Sequence, residues 1–141
     1  MRKGIQIIVL TVIAFLLSSL PFYSKTYPAA RIWFRDPAES QPQESYSYEV
    51  TDTSYKQAVA RVLDPDTHQF HAAEHALDYS MLPSIRIEYT DETSISFGIS
   101  TTFFRTAHGS PQGTWFITPE EYEILQSYQV HSTKLATPYQ P

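Results

Sequence analysis

Hydrophobic and polar positions divide this chain into three regimes. Residues 5–23 (IQIIVLTVIAFLLSSLPFY) form an apolar run without a charged side chain. Residues 36–45 (DPAESQPQES) contain no large apolar residue and read as an extended spacer. From residue 46 onward the apolar positions recur in short, patterned segments. Tyr46, Tyr48 and Val50 alternate with polar residues and predict a strand over 46–51. Tyr55, Val59, Val62 and Leu63 fall at helical spacing, with Asp52 or Thr53 as the N-cap. Asp64-Pro65 ends that helix, because the residue before proline is driven out of the helical region. A second helix is expected over 66–81, with Phe70, Ala73, Leu77 and Met81 as its apolar stripe and a stop before Pro83.

The clearest alternation lies between residues 84 and 100. Ile85, Ile87 and Tyr89 alternate with Arg86, Glu88 and Thr90; Ile95, Phe97 and Ile99 alternate with Ser94, Ser96, Gly98 and Ser100. With a turn at 90–93, this predicts a hairpin with one apolar and one polar face. A less regular strand follows at 101–106, then a Gly- and Pro-bearing loop at 107–113 and a short strand at 114–117. Thr118-Pro119-Glu120-Glu121 is a helix start: Thr118 caps, Pro119 takes the first helical position and Glu121 completes a capping box. Tyr122, Ile124, Leu125 and Tyr128 give that helix its apolar side, and residues 131–141 read as a flexible tail.

The expected fold class is α+β. An N-terminal transmembrane helix precedes a small domain with an antiparallel sheet of four to five strands and two to three helices on one face. The expected segments are a signal anchor (1–23), a juxtamembrane segment and linker (24–45), an extracytoplasmic domain (46–130) and the tail (131–141). The layout is similar to that of small exported domains that bacteria tether to their membranes.

Nineteen residues of helix at about 1.5 Å each reach about 28 Å, near the thickness of a bilayer's hydrocarbon core. A cleaved signal peptide is the competing reading, but the only small-residue site, Pro28-Ala29-Ala30, lies far beyond the apolar run. Retention is therefore favoured. Tyr23, Tyr27, Trp33 and Phe34, mixed with Lys25, Arg31 and Arg35, read as an interfacial belt. Arg2 and Lys3 place the N-terminus inside and the rest of the chain outside, although Lys25, Arg31 and Arg35 weigh the other way.

Charge sharpens this division. Residues 1–35 hold five basic residues and no acid, whereas residues 36–141 hold five basic residues against all fifteen acids, a net of −10. The basic end suits an anionic lipid surface, and the acidic remainder argues against nucleic acid. There is no cysteine, which excludes disulfides, a thiol nucleophile and a thiolate metal site.

Candidate chemistry is confined to His68, His71, Glu74 and His75. His71-Ala-Ala-Glu74-His75 matches the H-x-x-E-H pattern of inverted zinc peptidases, in which two imidazoles one helical turn apart hold zinc and the glutamate is the base. In a milder form, His68, His71 and His75 line one helical stripe and would suit zinc, copper or nickel. The competing reading is that of ordinary surface histidines. Trp115, Phe103, Phe104 and Phe116 are assigned to the core. Phe103 and Phe104 are adjacent, however, so one of them must face away from it and becomes a contact candidate. There is no nucleophile elbow, phosphate loop or dinucleotide fingerprint. The function expected from the sequence is that of a small membrane-anchored extracytoplasmic binding domain without catalytic activity or cofactor. Its partners would be the membrane, through the N-terminal helix, and another envelope protein. The alternative is a metal-binding envelope protein using the histidines, in its remotest form a zinc-dependent hydrolase.

Overall fold

A computed structural model of the chain describes residues 28–38, 44–71 and 84–141. The expected anchor lies outside these residues, as do Glu74, His75 and most of the expected second helix. Among the described residues no helix is long and apolar enough to cross a membrane.

Seven strands form one sheet: β1 (Ala29–Phe34), β2 (Tyr46–Val50), β3 (Ile85–Tyr89), β4 (Ser94–Ile99), β5 (Phe103–His108), β6 (Thr114–Phe116) and β7 (Ser132–Tyr139). The strand order is β6-β5-β4-β3-β1-β2-β7, and every pair is antiparallel. Two helices, α1 (Thr53–Val62) and α2 (Pro119–Gln126), complete the α+β fold.

The period of two along each strand sorts side chains between the faces. On one face Ile32, Ile87 and Ile95 are cross-strand neighbours, as are Phe34, Ile85 and Phe97. These residues join Tyr55, Val59 and Val62 of α1 and Leu125 of α2 in one buried cluster. Fully burying such an aliphatic side chain contributes about 1.5–3 kcal/mol relative to exposure. Tyr55 binds the two helices together by donating its hydroxyl to the Ile124 carbonyl at 2.6 Å. Burial pushes the Tyr55 phenol up to about 12, so it stays protonated and keeps donating.

Both helix starts are as the sequence predicts. Asp52 Oδ1 accepts from Ser54 N at 2.9 Å and from Tyr55 N at 3.3 Å, while its Oδ2 lies 2.8 Å from His131 Nδ1. In α2, Thr118 and Glu121 form the reciprocal capping box. The hairpin of β3 and β4 is likewise present, with Asp91 accepting from Thr93 across its turn.

The sheet is larger than the four to five strands expected, because both flanks of the expected domain belong to it. Residues 29–34, read as part of a juxtamembrane segment, form β1, which lies between β3 and β2. Its mixture of Arg31, Trp33 and aliphatic residues reflects two different faces: Ile32 and Phe34 enter the core, and Trp33 packs on the opposite side. An interfacial belt and a two-faced strand share that composition. Residues 132–139, read as a flexible tail, form the edge strand β7 against β2. Most of its side chains are exposed, so it carries no alternating apolar signal; backbone pairing makes it a strand. β5 also runs two residues beyond the range expected for it, ending at His108.

The start of the expected second helix is not α-helical. Pro65–Thr67 form one 3-10 turn capped by Asp64, and His68 has extended backbone angles. Phe70 then bridges to Trp115, with His71 N bonded to Thr114 O at 2.8 Å and Phe116 N to Gln69 O at 3.0 Å. The outer side of β6 offers backbone partners that a local helix would forgo, and residues 69–71 take them.

Candidate functional site

The histidine pair that the structure describes is divided between two settings. His68 is packed against α2, its side chain only 7 % exposed, with Nε2 2.6 Å from Glu121 Oε2 and Nδ1 2.7 Å from the Asp64 carbonyl. Both ring nitrogens therefore face oxygen partners. His71 stacks on Phe116, with ring centroids 4.5 Å apart. The two imidazoles do not share a helical stripe, because the backbone between them is extended. Among the described residues, no group of three or more metal-ligating side chains converges. His75 and Glu74 fall outside those residues.

Glu121 has two duties. Its Oε1 accepts from the Thr118 amide at 3.0 Å, and its Oε2 meets His68. Burial raises its pKa, but the Thr118 amide and His68 outweigh that, and the carboxyl titrates below its ordinary value. The segment at 65–71 is thus fastened to the first turn of α2.

Above this fastening lies an open cleft of about 660 Å³. Its walls come from the last turn of α1 (Arg61, Val62), from Gln69, from the end of β6 and the residue after it (Phe116, Ile117) and from Ile124 of α2. Val62 and Ile117 are buried, while Phe116 and Ile124 are 41 % and 36 % exposed. Arg61 and Gln69 are exposed, and neither side chain has a hydrogen-bond or ion-pair partner among the described residues. The volume falls within the range of about 300–1,000 Å³ common to ligand pockets, and an apolar floor under a few unused polar groups is the usual composition of such a pocket.

The sheet face opposite the helices is polar. Trp33, Arg86, Ser96 and His108 are consecutive cross-strand neighbours on it. Glu44 lies over this row. Its Oε1 accepts from the Tyr46 hydroxyl and from Ser96 Oγ, each at 2.6 Å, and lies 3.6 Å from Arg86 Nη1. His108 Nε2 is 3.7 Å from Oε2. Burial raises the Glu44 pKa, but the two hydroxyls and the charges of His108 and Arg86 bring it below the ordinary value. Ser96 is fully buried and donates its hydroxyl to Glu44, so this contact fastens residue 44 to β4.

The adjacent phenylalanines divide as the strand period demands. Phe104 is fully buried and Phe103 half-buried on the opposite face, where Phe116 is its cross-strand partner and the Arg105 guanidinium lies 5.8 Å from its ring centre. The same alternation applies to β6 and corrects the assignment of Phe116 to the core. Trp115 and Ile117 are buried, so Phe116 points outward. That adjacency is visible in the sequence. The contribution of Arg61, Gln69 and Ile124 is not, since only packing brings residues 61, 69, 116 and 124 to one cleft. Comparison with known proteins finds no family model, curated protein or solved structure that matches this chain.

Proposed function

We propose that this protein is a small membrane-anchored binding domain whose ligand site is the cleft between α1, α2 and the segment at 65–71. The observation that carries the reading is the cleft itself. It combines an apolar floor of Val62 and Ile117 with two exposed polar side chains, Arg61 and Gln69, that have no partner among the described residues. Unused hydrogen-bonding capacity beside exposed apolar surface is what a ligand consumes on binding. The acidic group at this site, Glu121, is already held by Thr118 and His68, which suits a rigid wall better than a reacting group.

The anchoring half of the proposal rests on the uncharged run at 5–23 and on the basic residues around it. In this arrangement the domain lies outside the cytoplasm, close to the bilayer. β1 begins at Ala29, so five residues at most separate the apolar run from the sheet. At about 3.5 Å per extended residue the tether reaches under 20 Å. A metal role for the histidines has no comparable support, since His68 would have to give up Glu121 or Asp64 to ligate an ion.

Two measurements test the proposal. The full chain, in detergent micelles, is titrated with fractionated envelope extract while its amide and methyl NMR signals are followed. Shifts confined to Val62, Gln69, Phe116 and Ile124 support the cleft; shifts elsewhere, or none with any fraction, overturn it. Recovery of the chain in the soluble fraction after alkaline washing of membranes would rule out the anchor.

A further inference from the structure

We infer that the open edge of the sheet, β7, pairs antiparallel with β7 of a second copy of this chain, with Leu135 at the two-fold axis. This surface is separate from the cleft, and the pairing does not depend on what the cleft binds.

The two edges of the sheet are finished differently. The outer side of β6 is covered by residues 69–71, through the bonds from His71 N to Thr114 O and from Phe116 N to Gln69 O. β7 pairs with β2 on one side, and among the described residues no strand lies on its other side. Ser132–Tyr139 therefore form an eight-residue strand with one row of backbone donors and acceptors turned outward. His131 O accepts from Thr51 N, and Ser132 and Thr133 register with Val50 and Glu49. Backbone groups alternate in direction along an antiparallel ladder, so residues 131 and 133 turn toward β2 while Ser132 and Lys134 turn away from it. A row of this kind is the template for adding a strand.

Charge selects the occupant. Residues 36–123 hold all fifteen acids of the chain against Lys56, Arg61, Arg86 and Arg105. Residues 124–141 hold no acidic side chain, and Lys134 is their one Lys or Arg. Two copies that meet on other surfaces bring acid against acid, whereas along β7 they do not. The strand is also complementary to itself. With Leu135 on the axis, the two Leu135 side chains meet, Thr133 faces Thr137 of the second copy, and Lys134 faces Ala136 of the second copy instead of its own twin. No like charges are then directly opposed. Pro138, which has no N–H to give, falls opposite Ser132 at the end of the ladder, where a missing donor matters least. One strand pair buries well under ~1,000 Å², so the association is reversible rather than obligate.

The chain has no cysteine, so a single introduced thiol reports its own contacts. The experiment is oxidative cross-linking of the full chain in detergent micelles, with micelles in excess, together with sedimentation of cysteine-free variants. Leu135→Cys should give a disulfide-linked dimer much faster than Thr102→Cys, whose exposed position before β5 measures random collision. Ala136→Glu sets a carboxylate opposite Lys134 at two symmetric places and should raise the dimerisation constant several-fold. Lys134→Glu combined with Ala136→Glu opposes carboxylate to carboxylate and should lower it about tenfold. Lys134 and Ala136 are exposed, so melting temperatures should stay close to the parent's. Leu135 is half-buried; if Leu135→Cys fails to fold, sedimentation of the charge variants decides alone. Cross-linking at Leu135 no faster than at Thr102, a chain that stays monomeric at every concentration, or a dimer indifferent to both charge changes overturns the inference.

Discussion

Trp33 and Tyr139 stack with ring centroids 4.4 Å apart and planes 10° from parallel, joining the first strand to the last on the polar face of the sheet. Trp33 is fully buried, and its indole N–H donates to Glu49 at 3.1 Å. Arg31 pairs with that same carboxylate and lies over the Trp33 ring. Trp33→Ala is therefore expected to cost about 3–5 kcal/mol, as for other large buried aromatics. Tyr139→Ala, which removes the stack but leaves Trp33, should cost about 1–2 kcal/mol. Urea denaturation midpoints check both values. Equal, negligible losses would mean that β7 contributes nothing to the fold.

The position of β1 sets where the domain can be cut. A chain of residues 24–141 should unfold cooperatively. One beginning at residue 46 lacks the strand between β2 and β3 and should show no cooperative transition by circular dichroism. Cooperative melting of residues 46–141 would contradict this topology.

Glu44 gives the fold an acid-sensitive contact. Its folded pKa is depressed, so its contribution is complete above the ordinary glutamate pKa near 4.5 and is lost as pH falls through the lower folded value. Stability measured from pH 7 down to pH 3 should therefore fall less steeply in Glu44→Gln than in the parent. Glu44→Ala leaves the buried Tyr46 and Ser96 hydroxyls without their carboxylate acceptor and should cost about 1–3 kcal/mol at pH 7. Parallel pH profiles for parent and Glu44→Gln would show that the carboxylate is not the titrating group.

Thr118 and Glu121 cap α2 while His68 holds Glu121 from the other side. Thr118→Ala should cost about 1 kcal/mol. A double-mutant cycle on His68→Ala and Glu121→Ala should give a coupling of about 0.5–3 kcal/mol. Strict additivity would mean that the 2.6 Å contact carries no energy.

Zinc offers a separate check. Both nitrogens of His68 are engaged, so adding zinc chloride to the full chain at pH 7 should leave its melting temperature unchanged. A rise of several degrees that disappears in His75→Ala would instead favour the metal reading.

Local chemistry made several of these elements legible in advance. Thr118-Pro119-Glu120-Glu121 had to cap a helix, because its donors and acceptors lie within one turn. The alternation through Ile85, Ile87, Ile95 and Phe97 had to place one apolar face, because side chains alternate strictly along a strand. The adjacency of Phe103 and Phe104 required one of them to leave the core. Other features were beyond such reading. β7 is held by backbone pairing with β2, which writes no side-chain pattern. His68 was legible as a possible ligand on a helix, but the outer side of β6 drew residues 69–71 into extended pairing, and α2 brought Glu121 to the imidazole. Contacts between residues more than fifty positions apart depend on how the helices and the sheet close on one another. The sequence by itself determined the apolar run, the helix starts and the alternation of faces, since these are properties of neighbouring residues. Tertiary structure alone decided that β1 is an inner strand and that Arg61, Gln69 and Phe116 share a cleft, since those depend on which surfaces pack.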